Sequence, residues 1–165
     1  MKNPDKFLVG MVVGIVVLVV AAVVVTLARP APAYLPDDTA EGVVHNYFFA
    51  LQQRDYERAY GYLSPSLKGY PRNAEVFADE VLTDKWTFQN LWEGNVTLNA
   101  LPAVLSDSGQ RANVTVQAAQ FSRGGLFGNN EQQHTFSVDL KFDNSWKITH
   151  ADKLWVWCWS EGDCP

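Results

Sequence analysis

Three histidines and two cysteines are the side chains of this sequence with the widest chemical repertoire, and their spacing limits what they can do. Cys158 and Cys164 are six positions apart. Two cysteines are too few for a disulfide scaffold or a four-cysteine zinc site. A redox-active pair would more typically be C-x-x-C at a helix start. In an oxidising compartment the spacing suits a structural disulfide worth about 2 kcal/mol by loop-closure entropy. His150 is placed by the final hairpin. With Asp143-Asn144-Ser145 as a three-residue loop, Phe142 faces Trp146, Leu140 faces Ile148 and Val138 faces His150. A two-residue loop would set Leu140 opposite Lys147 and mix the two faces. His150 is therefore expected on the apolar side, and His134 is in phase with the apolar positions of its own strand. A pocket histidine can serve as a general base because it titrates near neutrality. The alternative is a hydrogen-bonded core or rim histidine. No carboxylate can be assigned as an orienting partner, so both are pocket candidates and no catalytic residue is assigned. His45, four residues after Glu41, reads as a surface helix pair. Histidines at 45, 134 and 150 have no metal-ligand spacing, and no metal or cofactor is expected. There is no dinucleotide fingerprint, phosphate loop or haem-attachment motif. The sequons Asn95-Val96-Thr97 and Asn113-Val114-Thr115 fall within expected strands and are given no weight.

The elements that position these residues are written in the charge and hydropathy pattern. The chain has 165 residues, 18 acidic and 13 basic, for a net charge of −5. That balance, without a Lys/Arg cluster, excludes nucleic acid as a partner, because phosphate neutralisation needs concentrated positive charge. The 47% hydrophobic content is concentrated: residues 7–28, 22 in all, carry no charged side chain. As a helix they would span roughly 33 Å, against a hydrocarbon core of ~30 Å. The expectation is an uncleaved transmembrane helix, since a secretory signal has a shorter apolar region. Lys2 and Lys6 ahead of it, against Arg29 behind, place residues 1–6 in the cytoplasm and the remainder on the extracytoplasmic side of a single-pass cell-membrane protein. Gly10, Gly14, Ala21 and Ala28 form a small-residue line suited to close helix packing. Residues 29–37 form a proline-rich spacer.

Residues 38–165 have the length of one domain. Asp38 with Glu41 is a plausible capping pair for a helix whose buried face is Val44, Tyr47, Phe48 and Leu51. Asp55 caps a second helix that Ser64-Pro65 stops, and Asn73 starts a third with Phe77 and Val81 in line. After Trp92 the period changes to two. The runs Val96/Leu98/Ala100, Ala112/Val114/Val116/Ala118, Phe136/Val138/Leu140/Phe142 and Trp146/Ile148 read as an antiparallel meander. Helices followed by strands make an α+β domain of about three helices on a four-stranded antiparallel sheet.

The stretch from Tyr47 to Pro65, YFFALQQRDYERAYGYLSP, resembles the opening of NTF2-like (cystatin-like cone) domains, and the Trp146-Lys147-Ile148 strand is similar to their last strand. The likeness covers about residues 38–157. It implies a curved sheet wrapped around the first helix, leaving a cone-shaped pocket. Some members are isomerases or dehydratases with Asp, His or Tyr in the cone; many only bind or dimerise.

Two stretches suggest a partner. Glycines around Leu126 and Phe127 would leave this apolar pair at a hairpin tip or fold it over the cone mouth. In Leu154–Trp159 a continuing strand would line Trp155, Trp157 and Trp159 along one face, and tryptophan is enriched at interfaces; the alternative is a bend in the strand that packs one or two of these indoles under a helix of the same domain. The resulting expectation is a non-catalytic single-span accessory subunit of a larger membrane complex, such as an energy-transducing one. It would contact other membrane protein subunits and the lipid bilayer, with Leu126, Phe127 and the Trp stripe as docking residues. The alternatives are an anchored module holding a small apolar ligand in the cone, and after that an NTF2-like isomerase or hydrolyase.

Overall fold

The computed structural model describes residues 6–28, 33–124, 128–162 and 164. The chain divides into two compact units, residues 1–33 and 34–165.

The first unit contains one helix, α1 (Lys6–Ala28), rich in Val and Leu. Among the described residues no helix is long and apolar enough to cross a membrane. This overturns the expected transmembrane span over residues 7–28, the single-pass cell-membrane placement and the cytoplasmic and extracytoplasmic sides derived from it. A Cβ built at Gly10 or Gly14 would meet nothing within 4 Å, and Ala21 is exposed. The side chain of Ala28 lies outside the described residues.

The second unit begins at Tyr34. Residues 34–37, expected in the spacer, are tied to the fold through buried Asn46, which accepts from Leu35 N–H and donates to Leu35 C=O, both at 2.7 Å. Helix α2 (Ala40–Gln53) is capped by Thr39, which accepts from Gly42 N–H, and not by the expected Asp38. Thr39 is the extended residue, and only there does a short hydroxyl reach the orphan donors of the first turn. Asp55 caps α3 (Tyr56–Gly61) and Asn73 caps α4 (Ala74–Thr83), each at its expected place. A further helix, α5 (Lys85–Trp92), follows at once and buries Phe88 and Leu91. The expectation of about three helices missed it.

The sheet has five strands: β1 (Val96–Ala100), β2 (Val104–Leu105), β3 (Arg111–Gly124), β4 (Gly128–Asp143) and β5 (Ser145–Ala151). All pairings are antiparallel in the order β1-β3-β4-β5, with β2 also on β3. The edge of β5 is covered by a parallel bridge from Ile148 to Leu63. The core lies between α2 and one face of the sheet. Val44, Tyr47, Phe48 and Leu51 are buried against Ala112, Val114, Val116, Ala118, Phe136, Val138, Leu140 and Ile148. Phe48 meets Phe136 edge to face at 5.7 Å. Phe142, in phase with this face but near the hairpin end, is exposed.

The last hairpin starts in the expected register, Phe142 opposite Trp146 and Leu140 opposite Ile148. A bulge then intervenes between Asp139 and Leu140, after which Asp139 pairs with His150 and Val138 with Ala151. An extra residue in one strand of a pair exchanges the faces of everything beyond it. Ala151, not His150, therefore enters the core.

Candidate functional site

The inner face of β1, β3 and β4 does not fill completely. A cavity of about 380 Å³ remains where α5 and residues 152–155 approach the sheet. Its apolar walls are Val96, Leu98, Phe136 and Trp155; Gln120 and His134 add polar atoms. His134 thus lies where its strand phase puts it, with no hydrogen-bond partner among the described residues. His150 does not join it. The bulge leaves His150 exposed, with Nε2 3.6 Å from Asp152 Oδ1 and Nδ1 3.3 Å from Ser160 Oγ. Asp152 also lines the cavity, but its other oxygen accepts from Ser137 N–H at 3.0 Å. The two pocket candidates are therefore not brought to one centre, and His150 is a surface residue.

The stripe of three indoles does not form; the strand bends instead, the alternative the sequence offered, and two of the indoles pack within the domain. β5 ends at Ala151, and Leu154 adopts a left-handed φ of 55°, which turns the chain out of the strand. A short helix, α6 (Cys158–Glu161), follows. Trp159 is fully buried, stacked on Phe77 at 5.1 Å, and donates to Glu80 Oε2 at 2.6 Å. Trp155 is buried edge to face against Trp159 at 4.9 Å and donates to Ser160 Oγ at 3.0 Å. These two serve the domain's own core. Trp157 alone keeps the expected outward position, 67% exposed. Leu126 and Phe127 lie outside the described residues.

Cys158 and Cys164 are joined by a disulfide with Cα atoms 5.0 Å apart. Backbone contacts fix the same turn, since Gly69 N–H donates to Trp159 C=O at 3.1 Å and Gly162 N–H to Cys158 C=O at 2.8 Å. A Cβ at Gly69 would overlap the Cys158 carbonyl. Trp157 is thus an exposed indole on a firmly held support.

Beside it runs a groove of about 530 Å³ between α4 and the turn. Val76, Val156 and Trp157 give it apolar surface, with Asp79, Glu80 and Asp84 along its length. Val76 and Thr83 are seven apart and Asp79 and Glu80 lie between them, so one helix face presents them together. Sequence reasoning missed this groove. α4 signalled only its buried stripe, Phe77 and Val81, and the acids gained meaning from the turn that comes to lie against them.

A second polar cluster joins the chain before α2 to α3. The Arg58 guanidinium sits 3.4 Å over the Tyr34 ring, and Arg58 Nε donates to the Tyr62 hydroxyl at 3.1 Å. Tyr62 donates to Asp37 at 3.0 Å, and Tyr34 to Asp55 at 3.1 Å. Burial, then the bond to Asp55, raises the Tyr34 phenol above its ordinary value; burial is also the main cause for Tyr62, where Arg58 opposes.

No protein-family model matches the chain, and no curated protein matches it. Among solved structures it is similar to a SEC-C motif containing protein from Rhodopseudomonas palustris, at 14% identity over 70% of this chain and 80% of that one, with a TM-score of 0.44. It is also similar to a candidate polyketide cyclase from Xanthomonas campestris, at 18% identity over 68% and 86%, TM-score 0.34. A third is the intermembrane space region of the chloroplast protein ARC6, at 15% identity over 74% and 98%, TM-score 0.34. Similarity at this level assigns neither family nor activity.

Proposed function

We propose that residues 34–165 form an NTF2-like domain whose task is non-catalytic docking to another protein subunit. The helix-then-sheet order, with the first long helix of the unit lying on an antiparallel sheet, supports the fold reading. The observation that carries the function is Trp157, two-thirds exposed beside an apolar groove and held there by a disulfide-closed turn. Exposing an indole costs solvation free energy, and large aromatic anchors dominate interface energetics when a partner covers them. An acid–base centre has less support, since the bulge separates His150 from His134.

Retention of partner subunits through mild purification from the source cells tests this reading. Trp157→Ala should lose retained subunits, because removing such an anchor commonly costs about 2 kcal/mol or more, roughly thirtyfold in affinity. Its circular dichroism should match that of the parent. Unchanged retention would overturn the docking role.

The cavity favours a second reading, a small apolar ligand held between Phe136, Leu98 and Trp155 with His134 at its polar edge. Binding of the fluorescent probe 8-anilinonaphthalene-1-sulfonate, weakened by Leu98→Trp without loss of retained subunits, would favour the cavity over the groove.

A further inference from the structure

The groove beside Trp157 carries an electrostatic imbalance that the chain does not resolve on its own. α4 contains Glu75, Asp79 and Glu80 and no Lys or Arg, and Asp84 sits at its C-cap. The carbonyl end of a helix already carries roughly half a negative charge, so carboxylates near it are disfavoured and a cation is favoured. Asp79, Glu80 and Asp84 all line the groove, against one cation in its lining, Arg72. Among the described residues no ion pair joins these three carboxylates to a Lys or Arg. Glu80 is occupied in accepting from Trp159, and Asp84 makes no side-chain bond to the start of α5.

The aromatic element selects the same sign of charge. The face of an indole is negative, and a guanidinium over it gains from the ring quadrupole. An exposed Trp157 and two unpaired carboxylates therefore converge on a cation. Val76 and Val156 line the same groove and offer apolar contact to an aliphatic stem. The volume of about 530 Å³ admits such a stem with its neighbours. The net charge of −5 for the whole chain steers in the same direction.

We infer that this groove docks a basic, arginine-bearing segment of a partner protein, its guanidinium between Asp79, Asp84 and the Trp157 ring and its stem along Val76 and Val156. The inference rests on the docking role proposed above and adds the chemistry of what docks. Arginine fits better than lysine, because its planar group both stacks on an indole and forms paired hydrogen bonds to a carboxylate.

The test titrates the full chain with the blocked peptide Ala-Arg-Leu-Arg-Ala and with its counterpart Ala-Glu-Leu-Glu-Ala, by isothermal calorimetry. The basic peptide should bind with Kd below about 1 mM, and the acidic one should not. Affinity should fall at least about threefold between ~0.05 and ~0.5 M salt, as screening of exposed charges requires. Asp79→Asn with Asp84→Asn, and Trp157→Ala, should each weaken binding about fivefold or more. Trp86→Ala, on a residue 92% exposed on α5, should leave it unchanged. Equal binding of the two peptides, or no loss in the Asn double variant, would overturn the cationic partner. Absence of basic-peptide binding at ~1 mM would overturn it as well. The docking role itself is judged separately by the retention of Trp157→Ala: lost retention with no basic-peptide binding would leave docking standing and remove only the arginine.

Discussion

Tryptophans 155, 157 and 159 alternate in sequence, yet the outer two are buried against each other and the middle one is exposed, and the cause is one residue ahead of them. Leu154 in the left-handed region ends the strand geometry on which an outward stripe depends. A positive φ at a leucine has no compositional signal, since the residues that favour it are Gly, Asn and Asp. Asn144, φ 58°, takes the same conformation in the hairpin loop, where asparagine tolerates it. The consequence is an energetic contrast between neighbours. Trp159→Ala should destabilise the fold by about 3–5 kcal/mol, because it removes a fully buried ring and leaves Glu80 without its donor. Trp157→Ala should stay within about 0.5 kcal/mol. Urea unfolding of the two variants measures the difference, and similar losses would contradict the burial of 159 and exposure of 157. His134 was legible because β4 keeps its own alternation in an uninterrupted register with β3; His150 was not, because the extra residue lies in β5 just ahead of it.

At the scale of elements, what depends on near neighbours in sequence was readable. Asp55 and Asn73 cap α3 and α4 as expected, since a cap is a bond to a backbone N–H two or three residues on. The buried face of α2 and the alternation of β1, β3 and β4 were likewise readable from period alone. α5 was hidden because Trp86, Phe88 and Trp92 are poor helix signals and no side-chain cap announces it. β2, two residues long, is defined only by its partner Asn113–Ala112. The small helix α6 has four residues and cannot persist alone, because nucleating a turn is unfavourable. It depends on the disulfide and on Trp159. Cys158→Ser with Cys164→Ser should therefore cost about 2 kcal/mol, the entropy of freeing a loop of that size. The urea midpoint of the double variant under non-reducing conditions checks this. A midpoint unchanged from the parent would mean that Trp159 alone fixes the turn.

For the molecule as a whole, the buried phenols set a pH limit. Tyr34, Tyr62 and Tyr70 are raised above the ordinary value of 10.0, burial being the largest cause for each, and Tyr47 is raised by burial alone. A phenol whose folded value is raised keeps its proton more tightly in the native state. The stability this contributes is fully present below about pH 10 and is lost as pH rises above it, where the unfolded chain ionises first. The urea midpoint should be flat from about pH 8 to 9.5 and fall above 10. Replacing Tyr62 and Tyr70 by Phe should shallow that fall. A midpoint that stays level to pH 11 would mean these phenols are not shielded in solution. The chain divides between residues 33 and 34, not at the expected start of the domain at residue 38. Asn46 recruits residues 34–37 through a contact eleven positions away in sequence. The disulfide has one further consequence, an optical one. A cystine quenches an adjacent excited indole by accepting an electron from it, and this cystine begins between Trp157 and Trp159, two of the six tryptophans that supply the protein's emission. Reducing the bond should therefore brighten the native emission, and unchanged brightness would mean that neither indole lies within quenching reach of the cystine.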